Sequence, residues 1–478
     1  MFRIKQAGPP VVVIAALTGV CGYILGCTNA SREKESQASA AQVATPERGD
    51  TSQGDQLARA AGNAPASTTS QDGEKKGDDA VPVAVSPVKA RSPRDTYYPN
   101  TEDLAPNEMR VVACGTGMPT TRAAQAAACF LVELGNGDKF LFDCGSGAAE
   151  RISSLQIPYN YLDKVFLGHL HTDHFGSLHD LFIGGALMGR NVPLRVWGPS
   201  GAVEELGTKY ALEHMKKMLT WDLAGRAGLT DPRGYQLEVN EFNYKGENEV
   251  VYEENGVTIR SFPAIHSIDG PVSFSLEWNG LKFVFSSDTY PNKWFEEYSK
   301  NADLLIHECF VAVPDMVAKM KFTPESALLV GTQVHTAPEA FGKVMSLVKP
   351  RMAVAYHFFK DPDTAPQVYD RIRKTYDGPL SLAEDFMVWN VTKDDIRVRM
   401  AVTEERTWAP PLARPAMAPK PEDKETFAKN HGLRVDDLQY SKFIKSGYMD
   451  VDDVLRPIYQ EASEALGRHF EYPRKDEK

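Results

Sequence analysis

From residue 109 onward the chain repeats one design: a short run of β-branched and aromatic residues that stops on a glycine, a histidine or a carboxylate. "MRVVACGTG" comes first, and "ACFLVELGNGDKFLFDCGSG" sets two such runs around a "GNGD" turn, which predicts a hairpin. "LDKVFLGHLH", "GVTIRSFPAIHS", "VSFSLEWNGLKFVFSSDT", "ADLLIHECF" and "RMAVAYHFF" follow the same plan. Between them the period changes. In "FGSLHDLFIGGALMG" Phe175, Leu178, Leu181 and Phe182 recur at helical spacing, and "PEAFGKVMSLV" reads likewise. Strands alternating with helices predict an α/β fold with its chemistry at one sheet edge, and the layout allows two halves stacked as a sandwich. Residues 202–235 read as an inserted helical pair. Its Tyr210, Met218 and Trp221 are expected to pack against the body, the alternative being that they line a pocket.

The two ends read differently. Arg3 and Lys5 precede an apolar run from Val11 to Cys27, the pattern of an export signal. Its end, "ILGCTNA", resembles a bacterial lipobox with Cys27 as the acylated residue. Residues 1–27 are therefore expected to be a lipoprotein signal peptide, with the body at the periplasmic face of a bacterial membrane; an uncleaved inner-membrane anchor is the alternative. Residues 28–95 hold hardly any aromatics and bury too little apolar surface to offset their ordering entropy, so a disordered linker is expected there. A folded domain is expected over 107–402. A Pro-rich linker and a helical tail, 403–478, follow it and are assigned no chemistry.

With 42 % hydrophobic residues among 478, the chain has ample material for a large core. A net charge of −11 argues against general affinity for nucleic acid, which requires a basic face. The six cysteines show no CxxC spacing, so neither a disulfide framework nor a thiolate metal site is expected.

The chemistry concentrates in "LGHLHTDHFGSLHDL", Leu167–Leu181. Of eleven histidines in the chain, His169, His171 and His174 fall within six residues, with Asp173 among them, on the loop at a strand's end. Imidazole and carboxylate are the ligands zinc takes when thiolates are absent. His169 and His171 can grip one ion from a turn, while Asp173 and His174 reach a second about 3.5–4 Å away. The remaining donors must come from distant strand ends, where the chain offers His266, Asp288 and His357.

These motifs resemble the metallo-β-lactamase-fold hydrolases, and within them the ribonuclease Z-like branch, over roughly Met109–Val402. "CGTGMPTTR", "FLFDCGSG", "HLHTDH", "AIHSIDGPVSFSLEW", "FSSDT", "LLIHECF", "VHTAPEAFGKV" and "AVAYHFF" carry the resemblance. "VNEFNYKGEN" and "GTQVHTAPEAFGKVM" look nearest to a subgroup named for a presumed hydrolase of guanitoxin biosynthesis, a name that implies no particular reaction. The resemblance implies an αββα sandwich of two mixed sheets flanked by helices. It implies two Zn2+ ions (manganese or iron as alternatives), one on His169, His171 and His266 and one on Asp173, His174 and His357, with Asp288 bridging. A hydroxide between the ions would be the nucleophile, oriented or deprotonated with help from Asp173. His335 would protonate the leaving group, held in tautomer by Glu308, and Asp143 would buttress the ligands.

Two departures from that branch stand out. Only 22 positions separate His266 from Asp288, so the long tRNA-gripping arm of ribonuclease Z has no counterpart, and Ser146 replaces a carboxylate. The expected activity is cleavage of a phosphodiester or similar ester in a small-molecule substrate, not tRNA processing. Arylsulfatase-like chemistry is the near alternative, and a non-catalytic metal-binding surface lipoprotein the distant one. A homodimer is compatible with the resemblance.

Overall fold

The structure, a computed structural model, describes residues 96–227, 229–411 and 424–472. The expected signal peptide and linker, and residues 412–423 of the Pro-rich stretch, lie outside the described residues. Seven strands come first: β1 (Thr96–Tyr97), β2 (Met109–Gly115), β3 (Cys129–Leu134), β4 (Lys139–Phe142), β5 (Lys164–Phe166), β6 (Leu194–Pro199) and β7 (Leu237–Phe242). Next come β8 (Glu249–Glu254), β9 (Val257–Pro263), β10 (Val272–Trp278), β11 (Leu281–Phe285), β12 (Leu304–Glu308), β13 (Met352–Tyr356) and β14 (Leu380–Leu382). The set ends with β15 (Met387–Val391) and β16 (Ile396–Ala401). The first seven strands join β15 and β16 in a nine-stranded sheet, ordered β1-β16-β15-β2-β3-β4-β5-β6-β7, while β8 to β14 form a seven-stranded sheet in sequential order.

Both sheets are mixed, and the connections explain why. Antiparallel neighbours can be joined by tight turns: Asn279 and Gly280, at φ 51° and 75°, turn β10 into β11. Parallel neighbours need crossovers, and helices Lys293–Tyr298, Pro338–Val348 and Ala365–Ile372 supply them between β11, β12, β13 and β14.

Alternation along each strand builds three apolar layers. Phe130, Val132 and Leu134 of β3 point between the sheets and meet Phe142, Phe166, Phe274, Phe283 and Phe285. Cys129 and Leu131 point outward, into a core shared with Ile152, Leu178, Leu181 and Phe182 of the covering helices. On the second sheet Phe283 and Phe285 face inward, while Val284 faces out beneath Phe341 and Met345. Because helices cover the outer faces, the strands are buried on both sides and read as continuous apolar runs. The result is the expected αββα sandwich.

The folded body extends past 107–402 at both ends. β1 pairs in parallel with β16, and helix Lys424–His431 buries Phe427 in the outer core of the nine-stranded sheet, with Ala428 buried beside it in the helix. The inserted pair forms helices Thr208–Met218 and Thr220–Arg226 as expected, but two of its large side chains do not pack. Trp221 is 85 % and Met218 67 % exposed, because they fall on the outward stripe while Leu212, Met215 and Leu223 take the core positions. Among the described residues no helix is long and apolar enough to cross a membrane, and Cys114, Cys129, Cys144 and Cys309 are buried free thiols.

One buried ion pair stands apart from the apolar layers. Arg110 Nε donates to Glu133 at 2.7 Å across the β2–β3 ladder, and Lys139 Nζ adds a second contact at 2.8 Å. Burial favours the neutral acid, but the two cations outweigh it and hold Glu133 below its ordinary value. Its contribution to stability is therefore present above the usual carboxylate range and lost as pH falls through the lowered folded-state value. Arg110→Met strands a buried carboxylate on a single lysine, and a loss of about 3–5 kcal/mol is expected. Urea denaturation at pH 7 checks this; an unchanged midpoint would count against it.

Candidate metal centre

The ends of the strands set this site. β9, β11, β12 and β13 run in one direction in the second sheet, and His266, Asp288, Glu308 and His357 lie at or just beyond their carboxyl ends. From the first sheet, β4 delivers Asp143, and β5 delivers His169 through the loop to the short helix Thr172–Phe175. Ligand sites at the carboxyl ends of strands are the rule in open α/β sheets.

Local backbone is bent to make this convergence possible. Asp143, Ser287 and His357 adopt φ of 58°, 50° and 73°, in the left-handed region that side chains rarely occupy. Two glycines let the loops close in. A Cβ on Gly168 would lie 2.2 Å from Ser287 Oγ, and one on Gly145 would lie 2.0 Å from the Asp173 carbonyl oxygen.

The donor atoms fall into two main groups that share Asp288, and a third overlaps the second. The first holds His169, His171, His266 and Asp288; the second holds Asp173, His174, Asp288 and His357; the third holds Asp288, Glu308, His335 and His357, with all donor atoms of a group within 4.8 Å of one another. In the first, His171 Nδ1 lies 3.0 Å from His169 Nε2 and 3.2 Å from His266 Nε2. His266 Nδ1 faces the Val334 carbonyl oxygen at 3.2 Å, an acceptor only, so its proton sits there and Nε2 offers a lone pair to the cluster. Burial depresses all three imidazoles, His266 to about 4, so they are neutral near pH 7 and suited to bind a cation.

The second group is richer in carboxylate. His174 Nδ1 donates to Asp143 at 2.6 Å, which turns Nε2 toward Asp288 at 3.3 Å. His357 Nε2 stands 3.2 Å from Asp173 and 3.1 Å from Asp288. Burial opposes charge on His357, but Asp288 and Asp173 outweigh it and push it up to about 10. Burial likewise opposes charge on His174, and Asp288, Asp173 and Asp143 override it to hold that imidazole well above its ordinary value. These carboxylates demand positive charge among them, which an imidazolium or a divalent cation supplies.

The residues fit a metal. Asp173 Oδ1, His174 Nε2 and Asp288 Oδ1 are buried without a hydrogen-bond partner, although buried polar atoms are nearly always paired. Nitrogen and carboxylate oxygen donors with no thiolate suit zinc, and manganese or iron can use the same set. Asp143 carries no donor atom in either group; it accepts from His174, from Gly168 N at 2.7 Å and from Ser287 Oγ at 3.0 Å, and so orients ligands from behind. Asp143→Asn is expected to weaken metal retention about 10–100-fold, measured by competition with a chelator.

His335 and Glu308 lie beside the second group. His335 Nδ1 faces both Glu308 oxygens at 3.1 and 3.2 Å, and Thr289 N donates to Glu308 at 2.8 Å. Phe310 stacks on the His335 ring at 4.2 Å and 8°, fixing its plane. Ser146 carries no donor atom in these groups; its hydroxyl donates to the Thr172 carbonyl at 3.3 Å. His307 is buried edge-on to Phe295 and Phe341, while His214 and His431 bond carbonyls in their own helices.

Two contributors escaped the sequence reading. Ser287 touches His169 and Asp143 together, from inside the "FSSDT" motif. Asp385, just after β14, accepts from Thr116 N at 3.1 Å and Ala126 N at 2.7 Å, and the Thr116 carbonyl in turn accepts from His357 N at 3.0 Å. Its signal was present, since "LSLAED" is one more apolar run ending on acids.

The family described as "Anti-Pycsar protein Apyc1" matches residues 109–320. The ribonuclease Z of Mycobacterium marinum is 30 % identical over 203 residues, 42 % of this chain and 70 % of that protein. That of Mycobacterium avium is 30 % identical over 235 residues, 48 % of this chain and 79 % of that protein. The crystal structure of the metallo-β-lactamase-fold protein YhfI from Bacillus subtilis aligns at 20 % identity and TM-score 0.45, covering 59 % of this chain and 100 % of that one. With the sandwich, the clustered donors and the ribonuclease Z kinship in agreement, the chain belongs to the ribonuclease Z-like branch of the metallo-β-lactamase-fold metallo-hydrolases.

Proposed function

We propose that the chain is a two-metal hydrolase that cleaves a phosphodiester in a small-molecule substrate. The observation carrying this reading is the pair of donor groups joined through Asp288. His169, His171 and His266 would hold one zinc, and Asp173, His174 and His357 the other. Bound there, such ions supply Lewis acidity toward phosphoryl oxygens and a water acidic enough to attack near neutral pH. The protein does the rest. Asp173, whose Oδ1 is buried and unpaired, orients the attacking water and accepts its proton. His335, with Nδ1 held by Glu308, gives a proton from Nε2 to the departing oxygen.

A small substrate is favoured over tRNA because the interval from His266 to Asp288 is occupied by the tight β10–β11 hairpin, with no projecting arm. The basic and apolar N-terminal stretch ending at Cys27 supports a location outside the cytoplasm, on a lipid anchor. Hydrolysis of bis(4-nitrophenyl) phosphate and of 4-nitrophenyl sulfate by the zinc-loaded protein tests the reaction. Diester turnover is the expected result; turnover of the sulfate alone would move the assignment to a sulfatase. Two bound metals without turnover of either ester would return the binding-only reading.

A further inference from the structure

The inserted segment shapes a pocket beside the donors. A cavity of about 310 Å³ opens next to His169, His171 and His266, and its walls include none of Asp173, Glu308, His335 or His357. Leu206 and Ala211 of the insert line it, together with Ile268 and Pro271 of the loop between β9 and β10 and with Leu170 and Phe175. The insert is fixed in place, because the buried Thr208 side chain donates to the Pro199 carbonyl at 2.8 Å and ties helix Thr208–Met218 to the end of β6. The opposite loop is steadied by Tyr244, whose hydroxyl donates to Asp269 at 3.0 Å.

We infer that this pocket holds the ester group that stays on phosphorus and selects a compact, uncharged ring there. The inference rests on the diester reading above. Its direction follows from the lining: His169, His171 and His266 wall the pocket, whereas His335, which serves the leaving oxygen, is not among its walls although its ring lies 4.8 Å from that of His266. Its size follows from the volume, at the small end of the ligand-pocket range of about 300–1,000 Å³. Its charge preference follows from Glu205 and Asp269, which line it with no lysine or arginine. A second phosphate seated away from the metal would meet two carboxylates and no lysine or arginine, the reverse of what a polynucleotide requires. The insert that replaces the long arm thus makes a selector for small diesters.

The test uses the zinc-loaded protein and three diesters with one leaving group, 4-nitrophenolate: methyl, phenyl, and a phenyl bearing a second phosphate. The phenyl diester is expected to exceed the methyl diester in kcat/KM by about tenfold. The doubly charged diester is expected to be poor and to gain in Glu205→Gln. Ala211→Trp, or Leu206→Trp should the first fold badly, is expected to lower the phenyl diester about tenfold while sparing the methyl diester. Equal loss on both would put the leaving group in the pocket and overturn the orientation. Equal turnover of charged and uncharged rings would overturn the charge rule. Should no diester be turned over, the diester reading fails by itself, and calorimetry with phenylphosphonate and methylphosphonate still judges the pocket. Tighter binding of the phenyl compound, lost in Ala211→Trp, supports it; equal affinities refute it.

Discussion

Asp288→Ala is expected to abolish diester hydrolysis, by about 10³-fold or more, and to lower bound metal below two per chain. Asp288 is the one residue common to both donor groups, and it also faces His174 at 3.3 Å and His357 at 3.1 Å. Its loss removes a donor from each group and leaves two buried imidazoles without their main counter-charge. Metal analysis beside the kinetics separates this from a simple loss of a base. A variant that keeps two metals and wild-type rates would show that the two groups do not work as one centre.

The second large effect concerns His335, and its size should depend on the substrate. His335→Ala is expected to slow a diester with an alkoxide leaving group by about 10²–10⁴-fold, while 4-nitrophenyl diesters, whose leaving group departs without a proton, change little. Metal content should stay the same. Glu308→Gln should follow the same pattern more weakly, because Thr289 N still bonds the side chain while the imidazole loses its anionic partner. A uniform loss on both kinds of leaving group would assign His335 to structure or metal binding, which the third donor group, Asp288, Glu308, His335 and His357, makes a real competitor.

Much of this centre was legible in the chain because strand ends advertise themselves: an apolar run that halts on a histidine or acid marks where the sheet delivers a side chain. His169, His266, Asp288 and His357 were all found that way, and the structure brings them together. What escaped was of another kind. Ser287 and Phe310 act through contact across the sheets, which no spacing along the sequence encodes. Trp221 and Met218 misled for the opposite reason: a large apolar side chain on an amphipathic helix looks buried until the helix's rotation is known. Asp385 was readable by the strand-end rule, but its effect on His357 passes through the backbone of Thr116 and has no sequence signature.

The docked helix after the sandwich has a practical bearing on how the protein tolerates cutting. Phe427 plugs the same outer layer that holds Ile152 and Leu155, alongside Ala409. A chain stopped at Val402 would uncover that layer, so recombinant forms ended there should be prone to self-association. A nick between the body and Lys424 should behave differently, leaving the C-terminal fragment seated as a non-covalent plug that copurifies with the rest.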